Sequence, residues 1–91
     1  MYEQHNNTIV VLMVCTEYPP MKGAAGAYTA TLTKALKRNG LKVYIACNES
    51  GKGDFYGISP SNRQNSEILL EIVDELKQDI VHVQFEEDYM R

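Results

Sequence analysis

The sequence predicts an α/β fold, a three-layer arrangement with a small parallel sheet in the order 2-1-3 and helices on both faces. Three observations carry this. Residues 8 to 15, TIVVLMVC, are apolar and β-branched without alternation, the pattern of a strand covered on both faces. Two segments with helical spacing of apolar residues each lie between strand-like runs, so the elements alternate as βαβ and then αβ. With right-handed crossovers, the two helices cover opposite faces only if the last strand lies on the far side of the first.

Residues 1 to 7 are polar and expected to fray. The first strand, Thr8–Cys15, hands over to the loop EYPPMKGAAGA. A helix is predicted over Gly26–Asn39, with Tyr28, Leu32, Ala35 and Leu36 recurring on one face. Gly40 is placed to stop it. Leu41–Cys47, LKVYIAC, reads as the second strand, so the first 47 residues form a βαβ unit. Residues 48 to 65 are rich in Gly, Ser and Asn and read as an irregular loop, with one short edge strand near Phe55, Tyr56 and Ile58. Ser66 is the expected cap of a second helix, whose stripe is Ile68, Leu69, Ile72, Val73 and Leu76. Glu67 in its first turn and Lys77 in its last suit the helix dipole. Asp79 leads into a third strand, Ile80–Phe85. No repeat or linker interrupts this order, so residues 1–91 read as one domain.

Composition is that of a globular chain: 44% hydrophobic and 23% charged residues over 91 positions. Twelve acids against nine bases give a net charge of -3, which argues against nucleic acid or an anionic membrane as a primary partner. Lys34, Lys37, Arg38 and Lys42 gather at one helix end, where they complement its dipole. The longest apolar run, Ile9 to Cys15, is far too short to span a bilayer. The start, MYEQHNNT, lacks the features of a secretory signal. A cytoplasmic protein, at most peripheral to a membrane, is expected. Cys15 and Cys47 end two strand-like runs without a CxxC or Cys/His cluster, so no metal is implied. Buried reduced thiols are the expectation, and a redox pair is the lesser alternative if the strands are neighbours.

In open α/β sheets, ligands bind outside the carboxyl ends of strands where the strand order reverses. The loop EYPPMKGAAGA falls there. Gly23 and Gly26 permit close backbone approach, and the helix that follows offers unpaired N–H groups to a phosphate or a sugar hydroxyl. The spacing matches neither the dinucleotide fingerprint nor the P-loop. The residues therefore read as a ligand loop or as a corner stiffened by Pro19 and Pro20. His82 alternates with Val81 and Val83 and points with Ile80 and Gln84 to one face of the third strand. It reads as a half-buried structural histidine or a site residue. Glu86, Glu87 and Asp88 form a solvated acidic turn or supply a base. Glu71 and Glu75 lie on the outer face of a helix as solvating charges.

The segment VVLMVCTEYPPMKGAAGAYTATLTKALKRNGLKVYIAC, followed by DIVHVQFE, resembles the start of GT-B-fold glycosyltransferases of the retaining family 4 type. The likeness covers nearly all of residues 8 to 86. LTKALKRNGLKV and DIVHVQ match that family's helix rhythm and cleft strand, and MKGAAGAY its Gly loop, with Ala24-Ala25 in place of a second adjacent glycine. The resemblance implies an N-terminal Rossmann-like domain that mainly holds the acceptor. Its Gly loop approaches the donor's diphosphate across a cleft. Carried over residue by residue, Lys22, Gly23 and Gly26 are donor- and phosphate-loop residues, and His82, Gln84 and Glu86 are cleft-strand residues and the candidates for catalysis. Many members place a histidine where this chain has Gln84-Phe85-Glu86. The full-length enzyme would take a nucleotide-sugar co-substrate and a glycan or lipid-linked acceptor, with no other cofactor. The donor-nucleotide half of the family lies in a second domain, so these 91 residues are expected to be inactive alone, since transfer needs both walls of the cleft.

The competing reading is a non-enzymatic α/β module that binds a nucleotide, a sugar or a protein. The reading frame beyond Arg91 discriminates the two: roughly 250 further residues ending in a second Rossmann-like domain favour the enzyme. A receiver-like or flavodoxin-like domain is disfavoured, because the first strand ends in CTEY rather than an acidic pair. In either reading the outer edge of the third strand is unpaired, which predicts self-association.

Overall fold

The computed structural model describes residues 8 to 84. Its elements are β1 (Val10–Cys15), α1 (Ala24–Arg38), β2 (Lys42–Cys47), α2 (Asn65–Leu76) and β3 (Ile80–Val83). The three strands form one parallel sheet in the order β2-β1-β3. The α/β class, the parallel sheet and the position of β1 at its centre are as the sequence predicts.

Strand parity sorts the core into two layers. On one face Val11, Met13, Val43, Ile45 and Cys47 pack against Leu32 and Leu36 of α1. On the other, Leu12, Val14 and Ala46 pack against Ile68, Leu69, Ile72, Val73 and Leu76 of α2, with Phe55 and Ile58 from the preceding loop. Leu12 and Met13 are wholly buried on opposite sides of β1. That double burial is why β1 reads as unbroken apolar sequence rather than as an alternation.

Several expected details differ. The helix α1 begins at Ala24 with Gly23 as its N-cap, so Gly26 lies inside the first turn rather than at the start. Tyr28 is exposed; the inner face carries Gly26, Thr29 and Thr33, flanked by Leu32 and Leu36. At Gly26 the cause is visible: the first turn runs against the β1–α1 loop, and an added Cβ would overlap the Glu17 carbonyl. The helix ends at Asn39 and Gly40, the latter at φ 90. Ser66 does not cap α2, which starts one residue earlier behind Gln64 and has no side-chain cap. Lys77 lies beyond the last turn, in the left-handed conformation, and its Nζ donates to the Asp74 carbonyl at 2.9 Å. Strand β3 ends at Val83; Gln84 extends the pairing by one amide, donating to the Val14 carbonyl at 2.8 Å. Phe55 realises the expected edge strand as a single parallel bridge to Ala46.

The two sheet edges are finished differently. The outer edge of β2 is covered by residues 54 to 58: the Ile45 amide donates to the Asp54 carboxylate, the Asp54 and Phe55 amides to the Ile45 carbonyl, and the Ile58 amide to the Cys47 carbonyl. Among the described residues β3 pairs only with β1, and Ile80, Val81 and Val83 are exposed. Asp79 pins it at one end. Its amide donates to the Val10 carbonyl and its carboxylate accepts from the Val10 amide, both at 2.8 Å.

Candidate functional site

The carboxyl ends of β1 and β2 open into two loops that pack on each other. Residues 16 to 23 follow β1, with a turn closed by the Met21 amide on the Tyr18 carbonyl at 3.2 Å and a cis bond between Pro19 and Pro20. Residues 48 to 53 follow β2. The Lys52 amide donates to the Pro19 carbonyl at 2.8 Å, and buried Gly51 lies so close to Tyr18 that a Cβ would come 2.8 Å from its carbonyl oxygen. Both loops are therefore braced and hold fixed positions beside the sheet's reversal.

Lys22 is exposed at the rim, and Gly23 opens α1 with extended backbone at φ 166. The first helical hydrogen bond runs from the Ala27 amide to the Gly23 carbonyl at 3.1 Å. The amides of residues 24 to 26 thus have no partner within the helix, and the dipole's positive end lies among them. No acidic residue occupies the first turn. Glu17 instead reaches the same place from the loop, with its carboxylate lying over Gly23, where an added Cβ would overlap Oε1. Gly26 is buried for a different reason: a Cβ there would overlap the Glu17 carbonyl. It serves close packing of helix on loop. Gly23 alone of the two glycines faces the side where a ligand could approach.

His82 and Gln84 share one face of β3, with His82 Nε2 3.3 Å from Gln84 Oε1. His82 pairs in register with Met13, two residues short of the end of β1. It borders an apolar cavity of about 220 Å³ together with Val11, Met13, Leu32, Leu36, Leu41 and Ile80. Leu32, Leu36 and Leu41 belong to the far half of α1 and the turn beyond it. The structure thus brings Lys22, Gly23 and Glu17 together and holds His82 with a different part of α1. Glu86 lies outside the described residues.

Cys15 and Cys47 are register partners at the ends of β1 and β2, both buried and both free thiols. Burial, with Cys15 and Asp54 nearby, pushes the Cys47 thiol up to about 11. Burial likewise raises the Tyr18 hydroxyl above its ordinary value, with the Thr33 hydroxyl beside it pulling the other way. The Cys47 thiol and the Tyr18 hydroxyl are thus held neutral, which is the opposite of what a nucleophile requires. Among the described residues no three His, Cys, Asp or Glu side chains converge as metal ligands, and no helix is long and apolar enough to cross a membrane.

Compared with known proteins, the chain matches no family model, no curated protein and no solved structure.

Two features of this region escape sequence reasoning. The seat of Glu17 over Gly23 depends on how the loop folds back, which no local pattern encodes. The second is a polar cavity lined by Asn48, Glu49, Gly57, Ser59, Ser61 and Asn62, within the stretch read as an irregular loop. The density of Asn and Ser directly after a parallel strand was the available signal.

Proposed function

We propose that this chain is the N-terminal, acceptor-side domain of a glycosyltransferase that transfers a sugar from a nucleotide-sugar to a glycan or lipid-linked acceptor. One observation carries the reading. The loop MKGAAGAY follows the central strand of a β2-β1-β3 sheet and opens a helix at Gly23, while DIVHVQ lies on the strand across the reversal. This is where such a domain needs a loop facing the donor diphosphate. Lys22, Gly23 and the amides of the first turn of α1 are the groups that would meet the phosphates. Gly26 supports them by letting the helix sit close against the loop. His82 and Gln84 belong to the acceptor side, on the strand lining the cleft, and Glu86 would follow them. The domain has no activity alone, since donor and acceptor must be oriented from two walls. The cytoplasm, where buried thiols stay reduced, is its compartment.

Amide-resolved NMR titration of the purified chain with UDP- and GDP-sugars tests this. Weak shifts confined to residues 16 to 27 are expected. Tight binding that needs no second domain would favour the self-contained module, and an undisturbed loop would overturn the assignment. Sugar transfer by the purified chain would disprove the requirement for a second wall.

A further inference from the structure

We infer that the cavity at the carboxyl end of β2 is a separate binding site for a neutral polyhydroxylated ligand, of the size of one pyranose ring. It is an open recess of about 260 Å³, below the roughly 300–1,000 Å³ of sites for drug-sized ligands. Its six lining residues are Asn48, Glu49, Gly57, Ser59, Ser61 and Asn62. None is apolar beyond the glycine and none is cationic. That disfavours an aliphatic ligand, which would strip water from these polar groups without pairing them, and an anion, which would face Glu49 without compensation.

The walls are built before any ligand arrives. Asn65 brackets Ser59, its Oδ1 accepting from the Ser59 amide at 3.3 Å and its Nδ2 donating to the Ser59 carbonyl at 2.7 Å. Asn62 donates from Nδ2 to the Gly57 carbonyl, and its Oδ1 accepts from the Gln64 amide at 2.9 Å. Gly57 holds φ 100, a conformation that side chains resist. Buried Ile58 anchors the loop in the core beneath α2. On the opposite wall, Asn48 Oδ1 accepts from the Ser50 amide at 3.1 Å.

These bonds also decide the chemistry. The amide oxygens of Asn48 and Asn62 each already accept one hydrogen bond. The Glu49 carboxylate and the Ser59 and Ser61 hydroxyls make no hydrogen bond among the described residues, and Glu49 and Ser61 are exposed to an incoming ligand. A carboxylate that accepts from two hydroxyls, beside two hydroxyls that both donate and accept, complements a vicinal diol. Because this site is distinct from the α1 N-terminus, it stands whether or not the chain belongs to a nucleotide-sugar enzyme.

The test is an amide-resolved NMR titration of the whole chain with methyl α-D-mannopyranoside, methyl α-D-glucopyranoside and, separately, inorganic phosphate. Saturable shifts at residues 48, 49, 57, 59, 61 and 62 are expected for at least one glycoside. Glu49→Gln should weaken binding about tenfold, the scale of one hydrogen bond to a charged group, while exposed Asp74→Asn leaves it unchanged. A well-dispersed spectrum of each variant shows that the fold is retained. The proposal is overturned if neither glycoside shifts these amides up to its solubility limit, if phosphate shifts them more strongly, or if Glu49→Gln binds like the parent. Shifts at residues 16 to 27 with a nucleotide-sugar report on the other site, so the two readings fail separately.

Discussion

Gly26 on the first turn of α1 abuts the backbone of Glu17 so closely that no side chain fits between them. Gly26→Ala should therefore destabilise the protein by about 1–3 kcal/mol through forced displacement of helix or loop. Gly23→Ala is expected to be milder, because its φ suits any residue and its obstacle is only the movable Glu17 side chain. Urea denaturation of both variants checks the contrast, and equal midpoints would refute it.

The Glu17 carboxylate lies where an incoming phosphate would meet the α1 dipole. Glu17→Gln is expected to raise affinity for a nucleoside diphosphate by roughly two- to fivefold, the scale of one charge at a helix end. The gain should shrink as salt is added. Calorimetric or NMR titration at two ionic strengths reads it, and an unchanged or weaker affinity would remove Glu17 from the site.

Cys47 gives a pH dependence whose sign follows from its environment. In the unfolded chain the thiol ionises near 9.0, and in the folded protein near 11. Between these values the unfolded state holds fewer protons, so stability falls as pH rises, by up to about 1.4 kcal/mol per pH unit. Below pH 9 this group contributes no pH dependence. Tyr18, raised by burial from its ordinary 10.0, adds to the decline from about pH 10 upward. Cys47→Ala should flatten the curve between pH 9 and 10 in thermal melts and leave the Tyr18 decline above it, and both buried thiols should resist alkylation until the chain unfolds.

The exposed β3 edge predicts self-association. Strand β2 is shielded by Asp54, Phe55 and Ile58, whereas Ile80, Val81 and Val83 are exposed and, among the described residues, β3 pairs with β1 alone. Sedimentation should show a concentration-dependent dimer, and Val83→Lys should return it to monomer. A parent chain that stays monomeric at all concentrations would argue that the edge is inert.

Periodicity made the architecture legible wherever burial is one-sided or complete. The stripe from Ile68 to Leu76 and the unbroken run of β1 each translate directly into the packing seen. Tyr28 misled because helical spacing alone does not reveal that Gly26, Thr29 and Thr33 form the tighter face. The site was legible as a location rather than as chemistry. Lys22 and Gly23 fall at the helix opening, but Gly26 answers to packing and His82 stands apart. Glu17 and the cavity beside Glu49 arise from contacts between loops, where side-chain amides such as Asn65 set the geometry and no repeat announces them.

The clamp of Asp79 on Val10 spans 69 positions of chain. Closing so long a loop is entropically costly until intervening elements are in place. The unit of β1, α1 and β2 should therefore assemble first, with α2 and β3 arriving afterwards. In a refolding experiment followed by pulsed hydrogen exchange, amides of β2 should gain protection before those of β3. The strand carrying His82 would be the last part of the protein to become itself.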